Sequence, residues 1–174
     1  KNSAEVSKLL KGQAGTQVKL KVVKLGKTEP EIIEFQRERI KVDNVPYFGM
    51  VSGNIGYIQL SEFTSDASRE VKKGIEDLKA KGATKLIFDL RDNPGGLLNE
   101  AVNISNLFIP KDKLVVNTKG KVAEWVKEYK ALNPPFDTEI PIAVLISGKS
   151  ASASEIVSGV LQDYDRGVLI GQKS

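Results

Sequence analysis

Apolar residues along this 174-residue chain recur with different periods, and each period predicts a different element. Val6, Leu9 and Leu10 fall three and four apart, the spacing of a short helix over residues 4–10 that Gly12 and Gly15 end. From Gln17 to Leu25 the period is two, with Val18, Leu20 and Val22 on one face, so a strand is expected. Gly26, Lys27 and Thr28 read as a turn, and Glu31 to Arg39 as the returning strand. Residues 40–54, with Pro46 and two glycines, read as an irregular linker.

The pattern then changes. Gly56 to Leu60 reads as a short strand. Asp66 stands where a helix N-cap would, ahead of Ala67, Val71, Ile75 and Leu78 at helical spacing, with Gly82 as the stop. Leu86, Ile87 and Phe88 form the unbroken apolar run of a buried strand over Lys85 to Leu90. A glycine-rich turn and a helix from about Leu97 to Phe108 follow. Weaker strand signals cover Leu114 to Asn117 and Lys121 to Trp125, and Pro134-Pro135 marks a loop. Ile142 to Ile146 is a second buried strand. It is followed by a serine-rich turn, a helix with Ala153, Ile156, Val157, Val160 and Leu161 on one face, and a last strand over Val168 to Ile170. Strands alternating with helices imply an α/β fold, a largely parallel sheet with flanking helices.

Composition narrows the chemistry. The chain has no Cys and no His, so disulfides, thiol nucleophiles and histidine-based triads are excluded within it, and only carboxylates remain for a metal. No metal and no cofactor are expected. The net charge of +4 comes from lysines spread among acidic residues, without an aromatic-studded basic stripe, so nucleic-acid binding is not expected. No apolar run approaches the roughly 18 residues of a membrane span, and no N-terminal segment reads as a signal peptide. The chain opens on Lys1 rather than Met and reads as part of a longer or processed protein.

In parallel α/β sheets, chemistry gathers at the carboxyl ends of strands. Two unusual turns occupy that position: Asp89-Leu90-Arg91-Asp92-Asn93-Pro94-Gly95-Gly96 and Ser147-Gly148-Lys149-Ser150-Ala151-Ser152-Ala153-Ser154-Glu155. A serine where a buried strand meets a helix N-terminus sits beside unpaired N–H groups and the positive end of the helix dipole, which suits a nucleophile. The same serines also read as helix caps, with Glu155 as the capping-box partner of Ser152, and by itself this turn favours the cap. The glycine turn offers backbone N–H groups to an anion or serves as an ordinary βα turn; it lacks the spacings of nucleotide-binding loops.

Taken together, these motifs resemble the C-terminal processing (tail-specific) peptidases. Asp89 to Gly96, Ser150-Ala151-Ser152-Ala153-Ser154-Glu155-Ile156, Leu161-Gln162-Asp163-Tyr164 and Gly56-Tyr57-Ile58-Gln59-Leu60 occur in that family's order. Leu9-Leu10-Lys11-Gly12, Gly15-Thr16 and the hairpin after them resemble the second half of a PDZ domain. The resemblance implies residues 1–40 as the C-terminal half of a PDZ-like domain (a partial helix plus hairpin), 41–54 as linker, and 55–174 as a serine protease core. It implies Ser152 as nucleophile, with backbone N–H groups of Gly95, Gly96 and Ala153 as the oxyanion hole. Asp163, Arg91 and Asn93 are implied as supporting residues.

The family's general base is a lysine in a Phe-Gly-Lys-Gly motif. Gly171-Gln172-Lys173-Ser174 matches the residues just before that motif, so neither Lys173 nor Lys149 is expected to be the base, and this chain alone is expected to be inactive. Expected partners are protein or peptide substrates with free C-termini, and an extracytoplasmic setting. The sheet edges leave room for pairing with a second copy. A non-catalytic peptide-binding scaffold of the same fold is the alternative, and a small-ligand α/β binding protein using the Gly95-Gly96 turn is a third reading.

Overall fold

The computed structural model describes residues 2–39, 43–120 and 126–174. The chain divides into two units, Lys1–Val42 and Asp43–Ser174.

In the first unit, helix α1 (Ser3–Leu10) starts at Asn2, whose side chain accepts from Glu5 N–H at 2.9 Å. Strands β1 (Gln17–Val22) and β2 (Glu31–Gln36) pair antiparallel, with Gln17 opposite Gln36 and Val22 opposite Glu31. Both are shorter than their sequence pattern suggested. Arg37 closes the unit: its Nε donates to Leu10 O at 2.7 Å and Nη2 to Leu9 O at 3.0 Å. The guanidinium thus satisfies carbonyls that the end of α1 leaves unpaired.

The second unit is built on a five-stranded sheet in the order β3-β4-β5-β8-β9. Strand β3 (Tyr47–Ser52) runs antiparallel to β4 (Ile55–Gln59); the other neighbours, β4 with β5 (Lys85–Asp89), β5 with β8 (Ile142–Ile146) and β8 with β9 (Gly167–Gly171), are parallel. Residues 47–52 therefore correct the linker expectation. Phe48 and Met50 alternate toward the core, and Pro46 and Gly53 bracket a strand rather than break one.

Helices α2 (Ala67–Ala80), α3 (Leu98–Asn106) and α4 (Ala153–Asp163) flank the sheet. Ala67, Val71, Ile75 and Leu78 of α2 are buried as their spacing predicts. Gly74 lets α2 settle onto β4, because a Cβ there would lie 2.7 Å from Ile58 Cδ1. The expected Asp66 cap does not form. Asp66 adopts φ 72° and its carboxylate faces Arg69 at 3.1 Å, while Glu100 of α3 accepts Ser68 N–H at 2.7 Å. The cap is thus supplied across the tertiary structure.

Strands β6 (Leu114–Thr118) and β7 (Lys127–Lys130) form a separate hairpin. It is seated over Val102, Ile109, Val115, Ala131 and Val160, a small apolar cluster beside the main core. The strand expected at Lys121 to Trp125 falls outside the described residues.

Phe88 lies at the centre of the main core, fully buried on β5, with its ring centroid 6.4 Å from that of Phe108. Phe88→Ala is expected to lower stability by about 3–5 kcal/mol, read from urea denaturation. A loss below about 1 kcal/mol would mean that this packing does not hold the sheet to its helices.

Candidate active site

Strands β5 and β8 are direct parallel neighbours, with Asp89 opposite Leu145, so the turns leaving their carboxyl ends emerge side by side. Asn93 fastens them. It is fully buried; its Nδ2 donates to Leu60 O at 2.8 Å, and its Oδ1 accepts Gly95 N–H at 2.8 Å. Its backbone carbonyl accepts Ala151 N–H at 3.1 Å and Ser154 Oγ at 3.0 Å. A second tie joins Ser150 Oγ to Leu90 O at 2.7 Å.

Those bonds separate the three candidate serines. Ser150 and Ser154 are buried and spend their hydroxyls on carbonyls of the glycine turn. Ser152 is exposed. It sits at φ 54°, ψ −113°, immediately before α4. A non-glycine residue held there stores about 1–3 kcal/mol of strain and persists only where its surroundings over-determine it. Glu155 contributes to this by accepting Ser152 N–H at 2.8 Å. The helix-cap relation anticipated from the spacing is therefore present in the Glu155 bond to Ser152 N–H, but it does not account for the exposure of the serine side chain.

The glycines fit against this serine. Gly95 has φ +100°, and a Cβ on it would lie 2.7 Å from Ala151 O and 2.8 Å from Ser152 Cβ. Gly96 has φ +146° and is pressed against Phe63, whose carbonyl accepts Leu97 N–H at 2.7 Å. Gly95 N–H, expected among the oxyanion donors, is instead consumed by Asn93 and buried. Gly96 N–H and Ala153 N–H have no acceptor among the described residues, and Ala153 opens α4, where the helix dipole favours negative charge.

Arg91 does not approach the serine turn through any hydrogen bond; it holds Asp89. The Asp89 carboxylate is almost wholly buried at the end of β5. It accepts from Arg91 Nε and Nη2, the latter at 2.6 Å, from Arg91 N–H at 2.9 Å, and from Tyr57 Oη at 2.6 Å. Burial pushes this carboxyl up, but the Arg91 and Tyr57 hydrogen bonds outweigh it and hold it below the ordinary aspartate value. Burial and the adjacent carboxylate raise the Tyr57 phenol, and the pairing raises Arg91 in turn. Sequence reading gave no role to Tyr57 or Asp89. The β4–β5 pairing that brings them together is what assigns one.

Of the remaining candidates, Asp163 is exposed at the last residue of α4. Lys149 is exposed, with its ammonium 3.7 Å from Asp92. Lys173 is also exposed. No group of three or more acidic residues among the described residues is arranged to hold a metal.

Asn93→Ala would orphan the buried Gly95 N–H and Leu60 O. It is expected to cost about 2–4 kcal/mol in urea denaturation; a cost near zero would show that Asn93 does not join the turns. The depressed Asp89 value makes a pH prediction. Its stabilisation is present above the unfolded value, near 3.8, and is lost as pH falls through the lower folded value. Asp89→Asn should therefore flatten the acid limb of the stability profile below about pH 4, and an unchanged acid limb would remove Asp89 from that account.

A sequence model of peptidase family S41 matches residues 54–174. The chain is similar to the carboxy-terminal-processing protease of Bartonella bacilliformis, 40% identical over 169 residues, covering 95% of this chain and 38% of that protein. It is also similar to the Staphylococcus aureus protein named "Probable CtpA-like serine protease", 38% identical over 172 residues, covering 98% of this chain and 34% of that protein. Among solved structures, the photosystem II D1 C-terminal processing protease matches with a TM-score of 0.64 and 26% identity, over 95% of this chain and 46% of that one. The chain thus spans little more than a third of the length of these curated relatives. The order of its motifs, its mostly parallel sheet flanked by helices, and these similarities agree: the chain belongs to peptidase family S41, among the C-terminal processing serine proteases.

Proposed function

We propose that this chain carries the nucleophile half of an extracytoplasmic serine endopeptidase that cleaves protein substrates near their C-termini. The observation that supports this best is Ser152 itself: exposed, strained at φ 54°, and seated between a helix N-terminus and the Gly95-Gly96 turn. Ser152 Oγ attacks the scissile carbonyl carbon while its proton passes to a neutral lysine. The oxyanion that forms accepts hydrogen bonds from Gly96 N–H and Ala153 N–H. On collapse, the C–N bond breaks, the leaving amine takes the proton, and an acyl ester remains on Ser152. Water, giving its proton to the regenerated neutral lysine, then attacks the ester; the ester C–O bond breaks, Ser152 Oγ takes the proton back, and the carboxylate is released. In this reading the base is the lysine that the family resemblance implies, in a Phe-Gly-Lys-Gly segment that the 174 residues do not include. The lysine must be desolvated to be neutral near pH 7.

In the same reading the first unit, α1 with the β1–β2 hairpin, is the C-terminal part of a PDZ-like domain that presents substrate tails to the core. Arg91 and Asn93 act by position: Asn93 sets the glycine turn, and Arg91 holds Asp89 at the end of β5.

The test is hydrolysis of an unfolded protein by the longer protein that carries this chain and the lysine segment, beside its Ser152→Ala counterpart. Ser152→Ala is expected to lower turnover by about 10³-fold or more, with an unchanged circular-dichroism spectrum and melting temperature. Equal cleavage by both proteins would remove Ser152 from the mechanism. No cleavage by either folded protein would leave a peptide-binding scaffold as the reading.

A further inference from the structure

Two helix-interior glycines face different surroundings. Glycine inside a helix sacrifices stability relative to alanine and needs a reason. Gly74 of α2 has one, since a Cβ there would collide with Ile58 of β4. Gly159 of α4 has no comparable neighbour: a Cβ there would meet no atom within 4 Å among the described residues. Packing therefore does not explain Gly159.

What it opens onto is a groove of ≈ 470 Å³ between α4 and β6. Ser152, Glu155, Gly159 and Asp163 follow one another at offsets of three and four, and Ile156 lies four after Ser152 and three before Gly159, so all five share one face of the helix. The buried Val157 and Leu161 lie on the other face. Leu114, Val115 and Val116 of β6 form the opposite wall, and Val115 also belongs to the small core. Tyr164 closes the far end by donating its hydroxyl to Leu114 O at 2.9 Å. Leu114, Val116, Ile156 and Val160 supply the groove's apolar lining, and its α4 rim carries Glu155 and Asp163, one helical turn to either side of Gly159. Both carboxylates are exposed, on a chain whose net charge is +4.

We infer that this groove is a substrate subsite continuous with Ser152, receiving the peptide segment beside the scissile bond. It would take an apolar side chain over Gly159 and a lysine or arginine toward Asp163. The inference rests on the peptidase reading of Ser152. The dimensions agree: the 11 residues of α4, Ala153–Asp163, span about 16 Å, the length of about five residues of extended peptide. Gly159 lets backbone or side chain lie close to α4. Asp163, which has no evident part in the chemistry at Ser152, acquires a role in specificity, as a rim charge.

Binding without turnover tests this on the Ser152→Ala chain. The probes are fluorescein-labelled leucine-rich peptides carrying one lysine, or one glutamate in its place. The lysine peptide is expected to bind about tenfold tighter, with amide NMR shifts concentrated between Glu155 and Tyr164. Gly159→Leu fills open space on a helix. It should therefore raise the melting temperature while weakening the lysine peptide by about tenfold or more. Asp163→Lys should reverse the lysine-over-glutamate preference. Failure of the lysine peptide to bind, equal affinity in Gly159→Leu, or a melting temperature lowered by that substitution would each overturn the subsite. The outcomes separate from those of the peptidase reading. Peptide held in the groove without cleavage by the longer protein would sink the mechanism and leave the groove. Cleavage indifferent to Gly159 and Asp163 would sink the groove and leave the mechanism.

Discussion

One buried amide holds the candidate site together. Asn93 ties the glycine turn to the end of β4 through Leu60, fixes Gly95 from within, and receives the serine turn on its carbonyl. Leu60, Asn93, Gly95 and Ser154 are buried, so losing one of their bonds would leave a polar group without water to replace its partner. The fold makes this possible because no strand separates β5 from β8. Had another strand been inserted, the two turns would lie about 5 Å further apart, beyond the reach of a single asparagine. Sheet order therefore comes first, then the asparagine clamp, and only then the conformation of Ser152.

The positive φ of Ser152 follows from that order. A strained backbone reverts unless something opposes it. Here Ala151 is held by Asn93 on one side and Ser154 by the same carbonyl on the other, with Glu155 gripping the N–H of Ser152 itself. Three residues around the serine are thus committed to fixing it, and its own side chain remains at the surface. The same commitments show why small residues surround it. Gly95 approaches Ala151 and Ser152 so closely that a methyl group would force the turns apart.

Much of the fold was legible in the sequence because its signals are local. The apolar runs of β5 and β8, and the helical spacing in α2 and α4, predict their elements to within a residue or two. What escaped was non-local or disguised. Pro46, Gly49 and Gly53 masked the alternation of Phe48 and Met50 in β3. The first turn of α2 is capped by Glu100, a residue from another helix, where sequence offered only the adjacent Asp66. At the site, motif order pointed to the family and to both turns. Spacing alone could not rank Ser150, Ser152 and Ser154, because the carbonyls that claim two of them lie about 60 positions earlier. Nor could it show that Asn93 already occupies the N–H of Gly95. The Tyr57–Asp89–Arg91 cluster likewise needs the β4–β5 register before it exists.

Helix α4 joins two demands that pull in different directions. Its N-terminus must be rigid to present Ser152 and the N–H of Ala153, and the buried Val157 and Leu161 anchor it to the core. Its exposed face runs from Ser152 through Glu155 and Gly159 to Asp163, and there the sequence gives up helix propensity at Gly159 without any packing return. A helix selected for stability alone would place alanine at that position. A helix that must also let a chain pass close to its surface, starting at the Ser152 end, has a physical reason for glycine. In the proposed reading, the geometry at Ser152 and the open groove are two faces of one requirement, that an extended substrate lie along α4 with its scissile carbonyl at Ser152.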